Sequence, residues 1–377
     1  MNIEYRKELG PLVTFVPNKR VPIYSWFYYK EGFSRDFVLQ MFKELEVKEN
    51  DVVLDPFMGV GTSLLASREV GNLSYGFDVS DIAVFVSKVK TRDYEIKELK
   101  KWRDWLFKQK FVEREMEFSG LVKAAFKKIT LLEIVFFRDL INTIDNEKVR
   151  DFFLLALMTA ANKCSYAFKD GAVIKIRKRP VPPIRPMLKR TVKKMISDVR
   201  KLPLKPVPTY PEKGDARSLP MKDECVNFII TSPPYLNKIE YTQVYSIENE
   251  LFFGKRQQRG ISSAIGLDVK LSNDEILSLQ SYLKEDDPLI AYKYFKDMKL
   301  VLDEMYRVLT DGGRACIVIG NGCFPDRVIE SDVVLARMAE DIGFVTRDIW
   351  VANQRWCMRD RVKKVGPLRE SVLVIEK

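Results

Sequence analysis

The chain has 377 residues, 46% hydrophobic and 31% charged, with a formal net charge of +11. That length holds two or three domains, or one catalytic domain with a large insertion, and the apolar content supports a real core. Histidine is absent and the five cysteines (Cys164, Cys225, Cys316, Cys323, Cys357) form no C-x-x-C pair, which excludes Ser-His and Cys-His catalytic units and argues against structural zinc.

The positive balance fits a polyanionic partner, although a basic soluble protein without one would read the same. Unpaired thiols and the lack of a signal peptide point to a cytoplasmic protein. The longest apolar run, Phe152 to Ala161, is too short to cross a bilayer. The missing histidine, the abundant charge and the few glutamines fit a thermophilic source.

In chain order, residues 1–25 read as irregular structure or edge strands punctuated by Pro11, Pro17 and Pro22. An amphipathic run then predicts a helix from Ser34, its N-cap, to about Leu45, opening with free backbone N–H groups. Asp51–Leu54 reads as a strand, followed by Asp55-Pro56-Phe57-Met58-Gly59-Val60-Gly61-Thr62 and a helix through about Val70. Glycines between strand and helix let the backbone approach a ligand, and the helix start aims N–H groups at it. A second strand, Ser74–Phe77, ends at Asp78, where a carboxylate is suited to ribose hydroxyls. Ser80 or Asp81 then opens a further helix, as a plain N-cap at the least.

From about Glu95 to Arg200 the periodicity turns helical (Leu99–Phe111, Leu121–Ile144, Val149–Ala167) with almost no strand signal. This is too long for a sheet connection and predicts an inserted helical subdomain. It carries a basic, proline-stiffened arm from Lys175 to Pro186 and then a basic helix. Lys175, Arg177, Lys178, Arg179, Arg185, Lys189, Arg190 and Lys193 are candidate phosphate contacts. A solvated basic face with a linker is the plainer reading.

A proline-rich linker (Pro203, Pro206, Pro208, Pro211) leads to Gly214-Asp215-Ala216 and to a buried-type strand, Val226–Ile230. That strand stops at Thr231-Ser232-Pro233-Pro234-Tyr235, because neither proline can donate to a ladder. The result is a stiff loop carrying a hydroxyl, available carbonyls and an aromatic face. The basic loop 255–260 either covers a substrate or merely connects elements. Tyr292–Leu309 reads as a helix closed by a glycine C-cap at Thr310-Asp311-Gly312-Gly313. A strand (Arg314–Ile319), Gly320-Asn321-Gly322, a helix (Val333–Ile342) and two closing strands (Phe344–Trp350, Ser371–Glu376) follow. Between the closing strands, Arg355, Arg359, Arg361, Lys363 and Lys364 read as a second basic loop, with Arg355 and Arg359 candidate nucleic-acid contacts.

Ser232-Pro233-Pro234-Tyr235 resembles motif IV of the S-adenosylmethionine (SAM)-dependent amino-methyltransferases, which methylate exocyclic amines of nucleic-acid bases. Its serine is similar to the cytosine-N4 branch; adenine-N6 enzymes usually carry Asp or Asn there. Asp55–Thr62 resembles motif I of the same family, the segment around Ser34 motif X, Asp215 motif III and Gly320–Gly322 motif VI. The resemblance implies an α/β, Rossmann-like SAM-methyltransferase fold: a mixed, mostly parallel seven-stranded sheet with the helical subdomain inserted. Residues 1–94 and 206–377 would form the methyltransferase domain, and 95–205 the substrate-recognition insertion. It implies SAM as cofactor, S-adenosylhomocysteine as product and no metal. Phe33, Ser34, Asp55, Pro56, Phe57, Gly59, Gly61, Thr62, Asp78, Asp215 and Ala216 would hold the cofactor. Ser232, Pro233, Pro234 and Tyr235 would carry the chemistry.

The implied mechanism has Ser232 Oγ and the Pro233 carbonyl accept hydrogen bonds from the target amine, freeing its lone pair, while Tyr235 stacks on an extruded base. No cysteine follows a proline, which excludes carbon-5 cytosine chemistry. The expected partner is nucleic acid, with no membrane and no obligate protein partner evident. The helical, apolar insertion is unlike the recognition regions of restriction-type enzymes and tilts the expectation toward structured RNA, such as ribosomal RNA, over DNA. Adenine-N6 methylation and a binding protein without catalysis are the other readings.

Overall fold

In a computed structural model, residues 2–113, 116–170, 173–236, 243–254, 265, 270–360 and 362–377 are described. The basic loop 255–260 and Arg361 lie outside them. The amino-terminal part runs β1 (Ile3–Tyr5), α1 (Arg35–Glu44), β2 (Val53–Asp55), α2 (Thr62–Val70), β3 (Ser74–Asp78) and α3 (Asp81–Thr91). Next come α4 (Ile96–Lys108), α5 (Gly120–Ala125), α6 (Lys128–Asn142), α7 (Glu147–Lys163), β4 (Ala167–Asp170), β5 (Val173–Ile176) and α8 (Ile184–Lys201). The remainder is β6 (Thr209–Lys213), β7 (Val226–Thr231), α9 (Ser246–Glu248), α10 (Asn273–Leu279), α11 (Leu289–Val308), β8 (Leu309–Gly320), β9 (Gly322–Cys323), β10 (Val328–Ile329), α12 (Ser331–Ile342), β11 (Val345–Arg359) and β12 (Lys363–Glu376).

The main sheet has eight strands in the order β1-β11-β12-β8-β7-β2-β3-β6. All share one direction except β12, which is antiparallel to both neighbours. This is the Rossmann-like order of the SAM-methyltransferase fold, with one strand more than expected. The extra strand is β1, which adds three residues in parallel to the free edge of β11. Chain order reverses between β2 and β7, so their carboxyl ends flank the crevice where open α/β sheets bind ligands.

Alternation along the strands makes two cores. Leu54, Ile229, Ile317, Ile319, Leu373 and Ile375 face α11 and α12, while Val53, Phe228, Ile230, Val318, Val372 and Val374 face α1. A third core fills the helices between α3 and β6 and reaches the amino-terminal segment through Trp26, which stacks edge-on against Phe152 and donates from Nε1 to Asp198 at 3.1 Å.

Several sequence expectations are corrected here. The run Leu121–Ile144 is two helices, α5 and α6, parted at Phe126 and Lys127. The same region contains the antiparallel β4–β5 hairpin, so Lys175 sits on a strand. Helix α11 ends at Val308 and passes directly into β8; Thr310–Gly313 are strand residues, not a C-cap. The closing strands are far longer than predicted and pair as far as Arg359 with Lys363, which puts Arg355 and Arg359 on β11 rather than in a loop. Pro211 belongs to the edge strand β6, where a missing N–H does least harm. Cys323 and Cys357 form a disulfide because β9 lies against the β11–β12 hairpin; Cys164, Cys225 and Cys316 are free.

Candidate active site

The loop after β2 is shaped by local sterics. Gly59 and Gly61 both take positive φ (50° and 74°), and Gly61 is the left-handed residue from which α2 starts. A Cβ on Gly59 would lie 2.9 Å from the Tyr29 ring, and one on Gly61 2.7 Å from Ser87 Oγ. The glycines are therefore required by the protein's own packing as well as by any close approach of a ligand. The Gly59 N–H donates to Asp78 Oδ2 at 3.0 Å and the Ser80 N–H to Oδ1 at 2.8 Å, fixing that carboxylate at the end of β3. Burial nevertheless pushes Asp78 up to about 7, against those two backbone bonds. Ser80 makes no side-chain cap.

Asp55 closes β2 at the head of the glycine loop. It is buried, and it accepts from Thr231 Oγ1 at 2.7 Å, from the Phe57 N–H at 3.1 Å and from the Ser63 hydroxyl. Burial pushes it up to about 6, opposed by these bonds. Its carboxylate ties the loop after β2 to the end of β7 and is spent within the protein. Thr62 is buried and meets Asn18 Nδ2 at 3.5 Å.

The start of α1 is likewise occupied. Ser34 Oγ accepts from the Phe37 N–H at 3.2 Å, and Asn18 Oδ1 from the Arg35 N–H at 2.8 Å. The expectation of free N–H groups there is corrected: two of the leading donors already have partners. Phe33 is buried against Phe37. Asp215 lies just past β6, beside Asp78, whose carbonyl accepts from the Gly214 N–H at 3.2 Å. Both Asp215 oxygens accept from Arg217, which itself reaches Asp297. Burial opposes the charge on Asp215, but the Arg217 bonds outweigh it and hold the carboxyl below its usual range. Ala216 is buried.

At the end of β7 the proline loop is held from two sides. The Tyr294 hydroxyl donates to the Pro234 carbonyl at 2.8 Å, and the Tyr235 hydroxyl to Glu370 Oε1 at 2.9 Å. The Tyr235 ring lies so close to Gly320 that a Cβ there would sit 2.5 Å away. Ser232 is half-buried, and its hydroxyl has no hydrogen-bond partner among the described residues. Asn18, Thr231, Tyr294 and Glu370 belong to none of the recognisable motifs. Of these, Thr231 alone had a signal, as the polar last residue of an apolar strand.

A second set of contacts joins this crevice to the helical region. Tyr29, above Gly59, stacks on Tyr245 with centroids 5.5 Å apart and planes 12° from parallel. Lys169 on β4 places Nζ 3.4 Å from the centre of the Tyr245 ring and 2.9 Å from the buried Glu248. Of the candidate phosphate contacts, Lys175, Arg177, Lys178, Arg179, Lys189, Arg190 and Lys193 are exposed. Arg185 is not free for that role: it donates to the carbonyls of Phe107 (3.0 Å) and Gln109 (2.7 Å) at the end of α4 and covers Phe137.

Among the described residues no group of three or more acidic, cysteine or histidine side chains is placed to hold a metal, and no helix is long and apolar enough to span a membrane. A glycine-rich turn after β2, a carboxylate at the end of β3 and an acidic residue after β6 fit SAM at the carboxyl edge of the sheet. Together with the strand order, they define a SAM-dependent methyltransferase.

Residues 226–377 match a family model described as DNA methylase, of the N6/N4 methyltransferases. Over 97% of this chain and 88% of its own length, the type II methyltransferase M.BsoBI of Geobacillus stearothermophilus is 24% identical. M.AvaI of Nostoc sp., another type II methyltransferase, is 27% identical over 90% of this chain and 83% of its own. A SAM-dependent methyltransferase structure from Methanosarcina mazei aligns with 89% of this chain and 96% of its own at 10% identity and a TM-score of 0.34. The carboxyl-terminal part thus matches the N6/N4 methyltransferase model, and nearly the whole chain is similar to type II methyltransferases; its cofactor is SAM.

Proposed function

We propose that the protein methylates the exocyclic N4 amine of cytosine in duplex DNA, as a site-specific modification enzyme. The observation that carries this reading is Ser232-Pro233-Pro234-Tyr235, held at the switch point opposite the glycine loop. The polymer moves from RNA, favoured by the sequence, to DNA. M.BsoBI and M.AvaI, both named type II methyltransferases, align with 90% or more of this chain, a span that leaves no room to omit the helical region. That region's helical character therefore no longer argues for RNA.

SAM supplies a methyl group activated on a sulfonium. The protein's share is to position and desolvate the amine. Its lone pair is delocalised into the base, so it attacks well only once both N–H groups are hydrogen-bonded and the nitrogen can pyramidalise. Ser232 Oγ and the Pro233 carbonyl are the proposed acceptors, with Tyr294 and Glu370 holding the loop through Pro234 and Tyr235. Tyr235 presents to the base the face turned away from Gly320. Phe33, Ser34, Pro56, Phe57, Gly59, Gly61, Thr62, Asp78, Asp215 and Ala216 remain the proposed cofactor wall, with Asp55 as its internal brace.

The test is transfer from tritiated SAM to duplex DNA and, separately, to undermethylated total RNA, each digested to nucleosides. Label in N4-methyldeoxycytidine is expected, with loss of at least a hundredfold in kcat for Ser232→Ala. Label in N6-methyldeoxyadenosine would overturn the base, and label in RNA alone the polymer.

A further inference from the structure

The outer part of the β11–β12 hairpin has no role in the methyltransferase core. Its ladder with β8 ends where Glu370 pairs with Gly320, beside the Tyr235 hydroxyl. Because β12 runs against β8, its amino-terminal half continues past the carboxyl edge of the sheet, the edge that carries the catalytic loop. From there to the last pair, Arg359 with Lys363, β11 and β12 ladder only with each other. At about 3.3 Å per residue the ribbon extends roughly 20 Å beyond that edge.

A bare two-stranded ribbon is marginal in water. This one is braced near its middle by the Cys323–Cys357 disulfide and at its root by Arg369, which meets Asp332 at 3.0 Å. Its surface is unlike that of a solvated connection. Trp356 is 50% exposed and Val362 83% exposed, and Lys364 Nζ lies 4.9 Å from the Trp356 ring centre. Residues 353–369 carry six Lys or Arg against a single acid, Asp360. Arg355 is exposed, and its guanidinium makes no hydrogen bond or ion pair among the described residues.

We infer that this ribbon enters the major groove of B-form duplex DNA next to the target base, with Arg355 reading a guanine edge and Lys363 and Lys364 on the phosphates. The inference rests on the reading of the chain as a DNA amino-methyltransferase. Shape and charge select the occupant. The B-form major groove is about 12 Å wide and admits a two-stranded ribbon, whereas the A-form RNA major groove is too narrow. Arginine pairs bidentately with guanine O6 and N7 there, and the N4 amine of cytosine projects into the same groove. The specificity-determining element would thus include the last hairpin of the catalytic half as well as the helical region.

The full-length protein is first given SAM and a pool of randomised duplexes, and the methylated site is read by sequencing. Arg355→Ala and Lys363→Ala/Lys364→Ala are then compared with wild type, with SAM affinity measured on each to show an intact cofactor pocket. Arg355→Ala is expected to relax the preference at one G·C position and weaken specific binding about ten- to hundredfold. Replacing that guanine by 7-deazaguanine should cost wild type a similar factor and the variant nothing. The double-lysine variant should lower the slope of log affinity against log salt by about 2. Unchanged site preference and salt slope in SAM-binding variants would overturn the inference, as would sensitivity to inosine but not to 7-deazaguanine, which marks the minor groove. A wild type that methylates no DNA fails earlier and overturns the parent reading with it; an active wild type with unaltered variants overturns the ribbon alone.

Discussion

Thr231 Oγ1 donates to Asp55 Oδ1 at 2.7 Å across 176 positions of sequence. The bond joins the last residue of β7 to the last residue of β2, the two strands whose loops face each other at the switch point. It makes the glycine loop and the proline loop one mechanical unit.

Thr231→Val keeps the shape and removes the donor. A bond to a buried charge contributes on the order of 2 kcal/mol, and Asp55 sets the pH dependence. Its folded-state value is raised above 3.8 to about 6, so the ionised form costs stability that is lost as pH rises through about 6. Losing Thr231 deepens that cost. Denaturant melts should show a larger destabilisation at pH 8 than at pH 4.5; equal losses would mean that the bond carries no charge dependence.

Tyr294→Phe and Tyr235→Phe separate the two supports of the proline loop. Among the described residues the Tyr294 hydroxyl donates to Pro234 O and the Tyr235 hydroxyl to Glu370 Oε1. Tyr294 holds the reacting loop through the Pro234 carbonyl and is a positioning residue. For Tyr294→Phe, kcat should fall about three- to tenfold with SAM affinity unchanged, as expected for a misplaced acceptor. A rise in the KM for DNA at constant kcat would assign Tyr294 to substrate binding instead.

Lys169 links the β4–β5 hairpin to the crevice. Lys169→Met leaves the buried Glu248 with Asn162 Nδ2 (3.1 Å) as its remaining partner, and an uncompensated buried carboxylate typically costs about 3 kcal/mol. The lysine's partial exposure brings the expected loss nearer 2 kcal/mol. Adding Glu248→Gln should restore much of it. A double variant as unstable as the single would place the loss in the Tyr245 contact.

Lys90 is buried with no hydrogen-bond partner for Nζ among the described residues, and burial pushes it down to about 7 from 10.5. The unfolded chain holds that proton up to 10.5 and the folded chain only to about 7. Stability therefore rises with pH between those values, and the group weakens the fold below them. Lys90→Met should stabilise the protein at pH 7 by up to a few kcal/mol and flatten the stability profile between pH 7 and 10. A destabilised variant would mean that the ammonium has a function the fold depends on.

Local chemistry made much of this protein legible. The glycine pair after β2, the aspartate closing β3 and the prolines after β7 each announce a strand end, because few other residues tolerate those backbones. Helical periodicity likewise exposed the large helical stretch between α3 and β6, whereas the α/β class came with the family resemblance.

What the sequence could not carry were relationships between distant segments. That Asp55 accepts from Thr231 and Ser63, and that Arg185 closes α4, is legible in none of these segments alone. Cys323 and Cys357 pair because two hairpins meet, and β1 becomes a strand because β11 leaves an edge open beside it. The long ribbon was hidden for the same reason. Its outer strands mix polar residues with Trp356, Cys357, Met358, Val365 and Leu368 in no strict alternation, so their pairing becomes visible only when β11 and β12 lie side by side. Motifs follow from what a backbone permits locally; partners follow from which groups the fold brings within hydrogen-bonding distance.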